Sequence, residues 1–76
     1  MTIDDFLELD EMEQAEAIWS GTVRGFREEN EFRIVLYKVD QFYVEVYYHK
    51  EHNVIKKLRP FDDARELRAY VNININ

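Results

Sequence analysis

The sequence predicts an α+β fold: a four-stranded antiparallel β-meander with an N-terminal helix, kinked or broken, and a C-terminal helix, packed mainly on one face. Three observations predict it. Residues 1–20 carry apolar side chains at helical spacing. Residues 22–59 switch to alternation dominated by β-branched and aromatic side chains. Short polar breaks cut that stretch into four segments, so neighbours must pair antiparallel. At 76 residues the chain is read as a single domain.

The helical segment spans 2–19. Thr2 caps a first turn with Asp5 three residues on, and Ile3, Phe6 and Leu7 supply its apolar stripe. The stripe fails at Asp10, where a second start signal begins, with Asp10 as N-cap and Glu13 in the third position. Met12, Ala15, Ile18 and Trp19 then continue the apolar face. A break near Leu9-Asp10 follows, one bent helix being the close alternative. Ser20-Gly21 stops the second helix, with Gly21 free to take a left-handed cap.

The strands are placed at about 22–28, 31–39, 42–49 and 54–59. Three-residue hairpin loops would set Arg27 opposite Glu31, Val39 opposite Tyr43 and Lys50 opposite Val54. Asn30 and Asn53 would then hold the positive-φ positions, which asparagine tolerates, while the middle loop would demand that of Phe42 or contain a bulge. This register collects Phe26, Phe32, Ile34, Leu36, Val44, Val46, Tyr48 and Leu58 on a core face. It leaves Val23, Arg27, Arg33, Val35, Tyr37, Tyr43, Glu45, Tyr47, His49, Ile55, Lys57 and Arg59 on an aromatic and basic one. Two-residue loops would mix these sets, so a cleanly apolar face argues for three. Ile34 and Val44 on one side of the sheet is the test of that choice.

Gly25 marks a bend or close approach in the first strand. Pro60 closes the fourth, and Lys56, Lys57 and Arg59 discourage pairing at its edge. Asp62 is the expected N-cap of a last helix over 63–71, with Leu67, Tyr70 and Val71 as its stripe. The tail 72–76 is too short to assign.

Composition narrows the function classes. Apolar residues form 46% of the chain, too many for a disordered segment. No apolar run nears the roughly 18 residues of a membrane span. The acidic N-terminus lacks the basic and then apolar layout of a signal peptide, so a soluble, cytoplasmic protein is expected. The absence of cysteine excludes a disulfide scaffold and a cysteine zinc ribbon.

The formal charge is −6, and all of that surplus lies in residues 1–20, which hold seven acids and no base. Such asymmetry steers basic partners, although an amphipathic helix also needs a solvated face.

Catalytic parts are thin. Ser20 is the one serine and has no histidine near it in sequence. Gly21 and Gly25 open no phosphate loop. His49 and His52 flank Glu51, but a turn does not put residues i and i+3 on one face, and a closed metal site needs a fourth ligand. No enzyme activity, catalytic residue, metal site or cofactor is expected.

The candidate binding residues are Tyr37, Tyr43, Tyr47, Arg33 and Arg59, rings interleaved with cations on the non-core sheet face. Tyrosine supplies contact area at low entropy cost, and arginine pairs with carboxylate or phosphate. The expectation is a small binding or regulatory module that meets a protein partner or a second copy of itself. Single-stranded nucleic acid on the same face is the alternative, disfavoured by the net charge. The competing structural expectation is that the C-terminal helix covers this face, with Leu67 and Tyr70 packing on Val35 and Ile55.

Overall fold

A computed structural model describes residues 1–70. Its elements run α1 (Ile3–Leu7), α2 (Glu11–Trp19), β1 (Thr22–Glu29), β2 (Phe32–Val39), β3 (Phe42–His49), β4 (Ile55–Phe61) and a 3-10 helix (Ala64–Ala69). The strands form one antiparallel sheet in the order β1-β2-β3-β4, so the α+β meander is as expected.

Both helix starts carry reciprocal caps. Asp5 N–H donates to Thr2 Oγ1 at 3.2 Å, and Thr2 N–H to Asp5 Oδ2 at 3.0 Å. Glu13 N–H donates to Asp10 Oδ1 at 2.8 Å, and Asp10 N–H to Glu13 Oε1 at 3.2 Å. The helical segment is therefore broken at the second capping signal. Gln14 spans the break, its side-chain amide donating to the Phe6 carbonyl at 3.0 Å.

Gly21 takes no left-handed cap: positive φ among the described residues occurs only at Asn30, Asp40 and Asn53. Its requirement is space, because a Cβ there would lie 2.3 Å from the Lys38 carbonyl oxygen. The α2 stripe is also narrower than its spacing suggests. Ile18 is buried, whereas Met12 and Trp19 are 75% and 61% exposed.

The hairpin register departs from the three-residue expectation at two of three loops. Glu29 pairs with Phe32 and Val39 with Phe42, so each of these loops has two residues, Asn30-Glu31 and Asp40-Gln41. The left-handed position in the middle loop falls on Asp40, φ 53°, and relieves Phe42 of it. The β3–β4 pairing holds the expected register from Tyr43↔Phe61 to Tyr47↔Lys57 and then slips at a bulge beside Tyr48.

A change of one residue in loop length turns side chains over. Ile34 pairs with Tyr47 and Val44 with Tyr37, so Ile34 and Val44 point to opposite sides of the sheet. The expected sorting failed because it demanded one apolar face, and both faces are covered. Phe6 of α1 and Ile18 of α2 pack on Val39, Phe42, Val44 and Val46 on one side. Leu36, Phe61 and Tyr70 form a smaller cluster on the other, with Tyr43 and Leu67 against it. Phe26, expected in the core, lies on edge strand β1 and is 68% exposed.

Strand β4 continues through Pro60, paired with Val44, instead of ending there. An edge strand permits this, since alternate N–H groups point away from the sheet and one of them can be missing. The last helix starts from Asp63 and not Asp62, with Arg65 N–H donating to Asp63 Oδ1 at 3.0 Å. It takes the 3-10 form common in short pieces and lies across the sheet from α1 and α2. Val71 and the tail 72–76 lie outside the described residues.

Candidate functional site

The five residues singled out from sequence divide between the two faces. Tyr43, Tyr47 and Arg59 share the face under the 3-10 helix, through the pairs Tyr43↔Phe61, Glu45↔Arg59 and Tyr47↔Lys57. Tyr37 and Arg33 point to the helix-covered side, through Tyr37↔Val44 and Arg33↔Tyr48. Tyr37 is half-buried against the main core, and its hydroxyl pKa is raised, by burial first and by Tyr48 second. Arg33 is exposed. They do not form one surface.

The residue at the centre of the smaller face is Glu45, which is 1% exposed. Three strands and the C-terminal segment converge on it. Arg27 Nε of β1 donates to Oε2 at 3.0 Å. Arg59 Nε of β4 donates to Oε1 at 2.8 Å, with its Nη2 at 2.7 Å. Tyr70 Oη donates to Oε2 at 2.5 Å, and Tyr47 Oη to Oε1 at 3.3 Å. A second carboxylate faces each guanidinium from outside: Glu29 meets Arg27 at 2.8 Å, and Glu66 meets Arg59 at 2.6 Å.

Burial alone would push the Glu45 carboxyl pKa up. Hydrogen bonds from Arg27, Tyr70 and Arg59 outweigh it and hold the group below the usual carboxylate range. Tyr70 is shifted the other way: burial first, and the Glu45 carboxylate second, raise its hydroxyl above the ordinary tyrosine value. Chemically this centre is saturated. A carboxylate held ionised by two guanidiniums takes no proton near neutrality, and each arginine already has two acidic partners.

The rings are equally engaged. Tyr47 is 8% exposed, with the Lys57 ammonium 5.1 Å from its ring centre. Tyr43 stacks on Phe61 at 5.6 Å. The 3-10 segment therefore covers the aromatic-basic face, as the structural alternative expected, but Tyr70 packs on Leu36 and Phe61 and not on Val35. Gly25 makes this possible, since a Cβ there would stand 3.0 Å from the Tyr70 ring. It is both the expected close approach and part of a register slip in β1.

Tyr70→Phe keeps the ring in that notch and removes one hydrogen bond to a charged group. The expected cost is about 1.5–3 kcal/mol, or roughly 4–8 °C of Tm for each kcal/mol in a domain this small. Amide exchange over residues 64–70 should accelerate more than over β3. Unchanged exchange there would mean that packing alone holds the segment.

Sequence reasoning missed Glu45 as a centre. The available signal was a lone carboxylate between Tyr43 and Tyr47 in a central strand, opposite Arg59 in a register that was read correctly.

A different surface is open. Between α2 and β4 lies a cleft of about 460 Å³. Its floor is Ile18, Val46 and Leu58; Glu11, Ala15 and Trp19 form one wall, and Ile55 and Lys56 the other. Residues 12, 15 and 19 follow a helical stripe beside Ile18, so the apolar arc of α2 is wider than the arc the sheet covers. Trp19 and Ile55 on the cleft walls and Val54 in the adjoining turn are all at least 45% exposed, as is Met12, seven residues before Trp19 on the same helical stripe.

The histidines lie in the β3–β4 turn. His49 and His52 rings are 4.5 Å apart, and His49 Nδ1 accepts the Glu51 and His52 N–H groups, each at 3.2 Å. No group of three or more metal-ligating side chains occurs among the described residues, and no described helix is long and apolar enough to cross a membrane. Searches against protein-family models, curated proteins and solved structures give no match to this chain.

Proposed function

We propose that this chain is a small acidic binding module that acts through protein–protein contact, and that the α2–β4 cleft is its contact surface. The observation that carries this reading is Trp19: 61% exposed and lining a cleft floored by core residues. Tryptophan anchors in apolar depressions dominate the energetics of many interfaces. The tyrosine face is a poorer candidate than the sequence suggested. Its rings are buried or stacked, and its arginines are paired inside the molecule.

Single-stranded nucleic acid has less support for the same reason. Rings and cations must be accessible to stack on bases and meet phosphates, and the chain carries −6 overall.

The test is a photo-crosslinking amino acid at position 19, with position 43 as the comparison, in cells that make the chain. Protein adducts are expected from position 19 and not from position 43. No adduct at position 19, or the reverse pattern, overturns the reading.

A further inference from the structure

We propose that the occupant of the α2–β4 cleft is a second copy of this chain, related to the first by a two-fold axis that sets the α2 wall of each copy against the β4 wall of the other. This rests on the reading of the cleft as a contact surface. The two walls carry opposite charge: Glu11 on α2 and Lys56 on β4. Among the described residues neither has an ion-pair partner.

A two-fold contact is self-complementary, residue i meeting j while j meets i. One operation therefore satisfies both walls twice, Glu11 against the second copy's lysine and Lys56 against its glutamate. Helix against helix is opposed by charge, since residues 1–20 carry seven acids and no base. Continuation of the sheet across β4 is hindered by Pro60, which has no N–H to offer. What remains is side-chain docking, with Trp19 of each copy entering the other's cleft and Met12 and Ile55 closing around it.

Sedimentation equilibrium on the full chain, from about 0.1 to 500 μM at low and high salt, tests the proposal. A monomer–dimer equilibrium weakened by salt is expected. Glu11→Lys and Lys56→Glu should each weaken self-association by about tenfold, because each leaves two like-charged contacts. Mixed one to one, the two variants should re-pair and associate at least tenfold more tightly than either alone. Circular dichroism and thermal melting establish that both remain folded.

A wild-type chain that stays monomeric over the whole range overturns the proposal, as does a mixture no tighter than its components, or a larger open assembly. The two readings fail separately. If the position-19 crosslink yields a heavier foreign adduct while the chain is monomeric, the cleft is a contact surface and self-pairing is wrong. If position 19 yields nothing and the chain is monomeric, both are wrong.

Discussion

Glu45→Ala is expected to cost about 3–5 kcal/mol, the usual price of breaking a buried ion pair from one side. A chain of 76 residues has roughly 4–11 kcal/mol in all at 0.05–0.15 kcal/mol per residue, so the variant should be largely unfolded at modest urea. The magnitude comes from what is left behind. Arg27 and Arg59 point their guanidiniums at the 1%-exposed carboxylate, and without it two partly buried cations face each other under Tyr70. Glu29 and Glu66 neutralise only the outer sides. The urea midpoint at constant m-value measures the effect. A loss below about 1 kcal/mol would mean that water relaxes into the site and the network is idle. The variant with Glu45→Leu, Arg27→Met and Arg59→Met separates charge from volume, because an apolar triad of similar size often equals or exceeds the ion pairs it replaces.

The same centre predicts the acid limb of stability. The Glu45 carboxyl is depressed in the folded state, so its contribution is fully present above its unfolded value, about 4.3, and is lost as pH falls through the folded value. Wild-type stability should therefore decline below about pH 4, and a folded Glu45→Gln variant should show a shallower decline. Some slope should persist in that variant, since the capping carboxyls of Asp5 and Asp63 are also lowered, by Thr2 and Arg65 respectively. An acid limb of unchanged steepness would place the titrating groups elsewhere.

How much of this was legible depends on what each signal encodes. Caps are local, so the break at Asp10 follows from Asp10 and Glu13 alone, and both hydrogen bonds form. Strand existence follows from alternation and was right to within about two residues. Register is different: it is set by one residue of loop length, and the criterion used to choose it was an apolar face. Glu45 defeats that criterion, because a buried carboxylate makes the second face look wet. With Glu45 read as solvent-facing, Arg27 and Arg59 become an exposed cationic surface instead of its counter-charges, and Tyr47 a free ring instead of a hydrogen-bond donor to it. The same wrong parity puts Tyr37 and Arg33 on that surface, although they pair with Val44 and Tyr48 on the other side. Trp19 was hidden for the opposite reason, since a tryptophan at core spacing looks like core, and only the width of the sheet decides whether it is covered.

The two faces also explain how so small a chain manages without disulfides. One face holds a conventional cluster under α1 and α2. The other replaces part of the apolar core with a carboxylate, two guanidiniums and two phenols whose polar atoms satisfy each other. That solution demands a specific register, because a one-residue slip would turn Glu45 into the apolar cluster.

Phe6→Ala is the second large effect, expected at about 3–5 kcal/mol, and its signature should be local before it is global. Phe6 is the one buried residue of α1, 1% exposed, with its ring edge-on to Phe42 at 5.7 Å. Five residues are far below the roughly 12–15 that an isolated helix needs, so the Thr2–Asp5 capping box cannot sustain α1 unaided. The variant should lose amide protection across residues 3–9 while β2 and β3 keep theirs up to the reduced global limit. The Met1 ammonium, 2.9 Å from Asp40, should separate from it as the segment lifts. Leu7→Ala, one residue on and 58% exposed, should stay within about 0.5 kcal/mol of wild type. Were α1 to remain protected in Phe6→Ala, or Leu7→Ala to cost as much, the helix would be held by its caps and surface contacts, and the anchoring role given to the Phe6–Phe42 contact would be wrong.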